Sequence, residues 1–169
     1  MASKNTENTI AGDKLIIEEL SNHLEYTKKE RKFLLELSFN GAIAVETMLE
    51  YAISVVGDIP RSNADGEDFV DGSDAKKATV YNTGKSRTCW VGNVKKNGIL
   101  RVMVADAVAN EIFYFKIPQW VVGMFNNRRD FLSFTFNPKG GMPDKLHVGK
   151  ASYIIWTDCR VNTFKELCE

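Results

Sequence analysis

Five acidic residues crowd into the ten positions from Asp65 to Asp74, and a strand-forming run leaves them at once. The stretch reads Asp65-Gly66-Glu67-Asp68-Phe69-Val70-Asp71-Gly72-Ser73-Asp74-Ala75-Lys76-Lys77-Ala78-Thr79-Val80-Tyr81. Asp-Gly between two runs is a turn signal, and the β-branched and aromatic content of Ala78 to Tyr81 favours a strand. The prediction is a hairpin with carboxylates at its mouth. Side chains alternate faces along a strand, so Asp74 and Lys76 point the same way, about 6–7 Å apart. A two-residue turn at Asp71-Gly72 sets Glu67 across from Lys76. A three-residue loop, Asp71-Gly72-Ser73, sets Asp68 there instead. Either register puts two carboxylates and one ammonium on one face, a costly arrangement unless a cation or substrate belongs there.

A second feature precedes this hairpin. From about Phe39 to Val56 the chain is apolar nearly all round, which predicts a buried helix. Glu46 and Glu50 are its only charges and stand one turn apart on one face. A carboxylate on a buried helix needs a partner. Glu46 and Glu50 are both open as the one that serves a site, and a narrow solvent stripe would account for the two together.

Asp68, a short hairpin, and then Asp74-Ala75-Lys76 resemble the PD-(D/E)xK signature of type II restriction endonucleases and related DNA-cutting enzymes. The resemblance spans roughly residues 40 to 117. It implies that Asp68 and Asp74 ligate Mg2+ with help from the Ala75 backbone carbonyl, and that Lys76 orients or deprotonates the attacking water. It also implies a supporting glutamate on the preceding helix, for which Glu46 is the better match. Asp65 and Glu67 are alternatives to Asp68 as the first acid. Mg2+ suits such a set because it takes hard oxygen ligands and keeps several waters. It acidifies one of those waters and offsets charge in the transition state. A nearby lysine can act as a base if its pKa is lowered. An acid-x-Lys triplet is common by itself, as Glu30-Arg31-Lys32 shows; the turn, the preceding acid and the strand give this one its weight. A calcium loop is a poorer fit, because counting from Asn63 places Asp68 sixth and Asp74 twelfth, where an EF-hand has Gly and Glu. A solvated acidic loop is the plain alternative.

Charge adds a second line of argument. The chain of 169 residues has zero formal net charge, yet the two parts differ. Residues 1–74 hold 7 Lys/Arg against 15 Asp/Glu, and residues 75–169 hold 15 against 7, so −8 faces +8. Such asymmetry points to a basic surface built by the C-terminal part, and phosphate contacts from Lys and Arg carry DNA affinity. The candidates are Lys77 on the hairpin strand, Lys85 and Arg87 around a turn, and Lys95 and Lys96 at an Asn-Gly turn. Arg128 and Arg129 follow a short helix, and Lys139 and Lys145 lie in a Gly- and Pro-rich loop. Scattered solvated charges would look the same in composition.

Other chemistries have little material here. Cys89, Cys159 and Cys168 show no CxxC spacing, which argues against zinc and for a reducing, cytoplasmic compartment. His23 and His147 are the only histidines, too few for a histidine metal centre. No apolar run approaches about 18 residues and no signal peptide is evident, so no membrane partner is expected.

The expected architecture is one α+β (α/β) domain over residues 1–169, with N-terminal helices and then a central mixed β-sheet flanked by helices, restriction-endonuclease-like. Residues 1–11 are expected to fray, and Asp13 to cap a helix reaching about Tyr26. Thr27 precedes a charged segment leading into Phe33 to Leu37. Strands are expected near Arg87–Val94, Ile99–Ala105, Glu111–Ile117, Phe131–Phe136 and Tyr153–Trp156. A short helix is expected over Gln119–Asn127, with a closing turn capped by Asn162 or Thr163. The functional expectation is a Mg2+-dependent endonuclease acting on double-stranded DNA as a homodimer. A non-enzymatic nucleic-acid-binding accessory protein is the alternative.

Overall fold

A computed structural model describes residues 4–41, 44–63, 66–82, 87–94, 98–125, 131–136 and 150–169. Three helices come first: α1 (Lys4–His23), α2 (Lys28–Phe39) and α3 (Val45–Gly57). They are followed by β1 (Ser73–Thr79), β2 (Tyr81–Asn82), β3 (Arg87–Gly92), β4 (Ile99–Asp106), β5 (Glu111–Ile117) and α4 (Gln119–Phe125). The chain closes with β6 (Phe131–Phe136), α5 (Lys150–Asp158), β7 (Arg160–Val161) and α6 (Phe164–Cys168).

Four strands form a mixed sheet in the order β1-β4-β5-β7, with β1 parallel to β4 and the other pairs antiparallel. A second, antiparallel sheet has the order β2-β3-β6. The larger sheet is buried on both faces. Met103, Ala105 and Tyr114 face a core shared with Ile16, Ile17, Leu20, Leu49 and Ile53 of the N-terminal helices and Phe164 and Leu167 of α6. Leu100, Val102, Val104, Phe113 and Phe115 face the other core, with Cys89 and Val91 of β3 and Ile155 and Trp156 of α5. A strand covered on both sides needs a near-continuous apolar run, which Ile99 to Ala105 supplies with one interruption, Arg101. The expected mixed α+β class and flanked sheet are therefore present. Among the described residues no helix is long and apolar enough to cross a membrane.

The details differ from expectation in five places. α1 begins at Lys4, not at Asp13, and so includes most of the stretch expected to fray. Asp13 lies inside the helix and pairs with Lys77 on β1 at 2.6 Å. α2 extends to Phe39 behind its Thr27 cap, and α3 starts only at Val45. Tyr153 to Trp156 belongs to α5, not to a strand. Its β-favouring residues are overridden because Ser152, Ile155, Trp156 and Cys159 recur at helical spacing and all are buried. Finally, β1 starts at Ser73, five residues earlier than the β-branched run, because pairing with β4 extends it.

The expected closing cap is present. The Thr163 hydroxyl accepts from the Glu166 amide at 3.1 Å, the usual N-cap arrangement. α6 then packs so closely on α3 that a Cβ at Gly57 would overlap the Cys168 carbonyl oxygen. That oxygen belongs to backbone and cannot swing aside, so the clash outweighs the better helix propensity of alanine. Gly57→Ala is expected to cost about 1–3 kcal/mol, as overpacking does, read as a lower denaturant midpoint.

Candidate active site at the edge of the first strand

β1 is an outer strand of its sheet, and its backbone alternation fixes which groups meet β4. Val80, just beyond β1, donates its amide to Ala105 at 2.9 Å, so even-numbered amides turn toward β4 and odd-numbered ones turn away. Three successive outward amides are met by carboxylates. Ser73 N–H donates to Asp71 Oδ1 at 3.0 Å, Ala75 N–H to Asp68 Oδ2 at 2.8 Å, and Lys77 N–H to Glu46 Oε2 at 3.3 Å. An exposed row of strand amides is a template for unwanted pairing, and charged groups along it prevent this. The acidic stretch thus has a structural task along this edge, which it covers so that Ser73 and Ala75 are fully buried.

The same bonds gather the four residues singled out in the sequence. The loop is three residues long, but it comprises Val70, Asp71 and Gly72, so neither expected register occurs. Gly72 N–H donates to the Phe69 carbonyl at 3.0 Å and Phe69 N–H to the Ser73 carbonyl at 3.2 Å. Gly72 has φ +83°, left-handed backbone that favours glycine. Phe69 therefore lies opposite Ser73, and Asp68 opposite Asp74 instead of Lys76. The two aspartates hold each other's strand: Asp68 N–H donates to Asp74 Oδ1 at 2.9 Å while Asp68 Oδ2 accepts from Ala75.

Lys76 finds its carboxylate elsewhere. Its Nζ stands 3.7 Å from Glu46 Oε1, with the lysine side chain only 12% exposed. Glu46 sits in the first turn of α3, where the helix dipole favours a negative charge. Glu50 is drawn away to Arg61, whose Nη2 lies at 2.6 Å and Nε at 2.8 Å. Of the two helix glutamates, only Glu46 reaches β1. Asp65 lies outside the described residues, and Glu67 is exposed beside the turn.

The basic candidates fare differently. Lys77 is tied to Asp13, and Arg87 forms a nearly buried ion pair with Asp106, which is 1% exposed. Breaking such a pair to meet a phosphate would leave Asp106 as an uncompensated buried charge, and in the fold Arg87 serves as its internal partner. Lys77 is partly exposed and keeps its ion pair with Asp13 of α1. Lys85, Lys95, Lys96, Arg128, Arg129, Lys139 and Lys145 lie outside the described residues.

One residue went unnoticed in the sequence. Arg101, 3% exposed, donates from Nε to Ser73 Oγ at 3.1 Å, from Nη1 to the Leu167 carbonyl at 2.5 Å and from Nη2 to Asp71 Oδ2 at 2.8 Å. A charge inside an apolar strand run was the available signal, since a buried charge demands partners. Burial alone would raise the pKa of Asp71, but bonds from Ser73 and the Arg101 charge outweigh it and hold the carboxyl below its ordinary 3.8. A lowered carboxylate pKa adds stability that is fully present above the ordinary value and is lost as pH falls through the lowered one. Wild type should therefore lose stability relative to Asp71→Asn as pH drops below about 4, seen as converging melting temperatures.

Chemically, the edge offers hard oxygen donors and a shielded ammonium, and little else. Among the described residues no three His, Cys, Asp or Glu side chains converge as a complete metal cage. Mg2+ does not require one, since it is commonly held by one or two carboxylates together with substrate phosphate and water. The Asp68–Asp74 pair fits that pattern. Thiol chemistry is disfavoured: burial pushes the Cys159 thiol up to about 11 and Cys168 to about 12, and Cys89 well above its ordinary value. No family model, no curated protein and no solved structure matches this chain.

Proposed function

We propose that this chain is a Mg2+-dependent endonuclease acting on double-stranded DNA, of the restriction-endonuclease-like kind. One observation carries the reading. Two pairs drawn from a helix, a turn and a strand, Glu46 with Lys76 and Asp68 with Asp74, lie along one strand edge. In this reading Asp68 and Asp74 hold Mg2+, with the Ala75 carbonyl on the same outward edge as a further oxygen. A bound Mg2+ supplies an acidified water and charge compensation at phosphorus. Lys76, an ammonium held by Glu46, would orient the attacking water by hydrogen bonding, and the water's proton would pass to bulk solvent. Glu46 fixes the ammonium, and its remaining charge supports the cation side of the site. One such site cuts one strand, so a homodimer is the form proposed for cutting both. Three buried free thiols suit a reducing, cytoplasmic compartment.

A second reading has its own support. Asp71, Asp68 and Glu46 already cap the outward amides of β1, so the acids are accounted for without any metal. A binding module, such as an accessory protein of a phage or mobile element, would be left. Incubation with long mixed-sequence DNA at low salt, with Mg2+ or with EDTA, separates the two. Discrete fragments with Mg2+ alone support the nuclease, whereas intact DNA that shifts on a gel in either condition supports the binding module.

A further inference from the structure

We propose that Arg101 is a positioning residue for this site: its guanidinium clamps the Val70–Gly72 turn in the one register that sets Asp68 beside Asp74. The catalytic consequence rests on the nuclease reading; the clamp itself rests on bonds within the fold. Arg101 projects from β4, and its Cα lies opposite that of Ala75. A buried cation is tolerated only when its donors are met, and here all three donor nitrogens are used. Two of them act on the turn. Asp71 Oδ2 takes Nη2 at 2.8 Å, and Ser73 Oγ takes Nε at 3.1 Å. Asp71 Oδ1 in turn accepts from the Ser73 amide at 3.0 Å and the Ser73 hydroxyl at 2.5 Å. One carboxylate therefore ties the turn to its own strand through one oxygen and to β4 through the other. The third donor, on the Leu167 carbonyl, anchors the guanidinium in α6.

Register is what this arrangement protects. A one-residue slip would bring Glu67 or Phe69 across from Asp74. It would also carry Asp71 away from Arg101, leaving the guanidinium buried without its carboxylate, and draw Phe69 from the core. The acid-rich stretch offers several carboxylates, and the clamp selects Asp68 among them.

Asp71→Asn and Arg101→Lys in the full chain test this. Amide exchange by NMR is followed at Asp68 and Ala75, with Val102 and Val104 of β4 as internal references, beside a Mg2+ titration of DNA cleavage. Both variants are expected to lose protection selectively at Asp68 and Ala75. They should also need about 10–100-fold more Mg2+ for half-maximal cleavage, the usual effect of losing a group that supports a metal ligand. If Arg101→Lys does not fold, Asp71→Asn carries the test, since its amide oxygen still accepts one bond. Wild-type exchange at Ala75 in the folded variants overturns the clamp, as does uniform loss of protection across β4. If wild type cleaves no DNA but Asp68 and Ala75 still lose protection selectively, the nuclease reading falls and the clamp stands.

Discussion

In the nuclease reading proposed above, replacing Lys76 with alanine is expected to lower the Mg2+-dependent rate of DNA cleavage by about 10²–10³-fold, the range for losing one preorganised donor. The Lys76 ammonium lies 3.7 Å from Glu46 Oε1, with 12% of its side chain exposed. The truncation removes the group proposed to orient water, whereas Asp74 keeps its bond from the Asp68 amide and Asp68 its bond from the Ala75 amide. The loss should therefore fall on the rate at saturating Mg2+, with little change in the Mg2+ concentration that half-saturates it. Asp74→Ala should behave differently. It removes a proposed ligand and the acceptor for the Asp68 amide, so it raises the Mg2+ requirement as well. Single-turnover cleavage across a Mg2+ titration separates these effects. Cleavage by Lys76→Ala at the wild-type rate would remove the lysine from the mechanism.

Phe69→Ala is expected to destabilise the fold by about 3–5 kcal/mol, as aromatic truncation in a packed core does. Phe69 is completely buried in the core beneath α1, α3 and α6. It follows Asp68 directly, and its backbone bonds close the turn at both ends. Removing the ring leaves a cavity and loosens the residue that presents Asp68. The midpoint of urea unfolding reads the change, with an unchanged slope showing that the folded and unfolded states remain comparable. The neighbouring Val70 is 59% exposed, so Val70→Ala should stay within about 0.5 kcal/mol. Equal effects of the two substitutions would contradict the buried role of Phe69.

The local elements were legible in the sequence because local signals set them. Ile99 to Ala105 reads as a buried strand from its apolar run, and Glu111–Ile117 matches its expected bounds. Asn162 or Thr163 announces the closing helix as a cap, and Thr163 is the one that serves. The acidic turn was legible as a turn; Asp68, Asp74 and Lys76 were candidates through the resemblance their spacing carries, and Glu46 or Glu50 because a carboxylate on a buried helix requires a partner. Where local preference and packing disagreed, preference lost. Tyr153-Ile154-Ile155-Trp156 favours a strand by composition, yet Ile155 and Trp156 bury themselves from a helix against Phe113 and Phe115. Asp13 resembles a cap, but Lys77 lies across from it on β1 and meets it within α1.

Register and pairing lay beyond the reach of the chain read alone. The stretch Asp65 to Asp74 permits several hairpins, and each sets a different acid in place. The choice is made by Arg101, 30 residues away from Asp71 in sequence, and by the depth of the core that receives Phe69. Glu46 and Glu50 are likewise equivalent in the helix pattern until Arg61 engages Glu50 and the edge of β1 engages Glu46. Residue types and spacing follow from local chemistry, which acts over a few residues. Long-range contacts are settled only when strands and helices pack, because the energy of a buried charge depends on which partner reaches it.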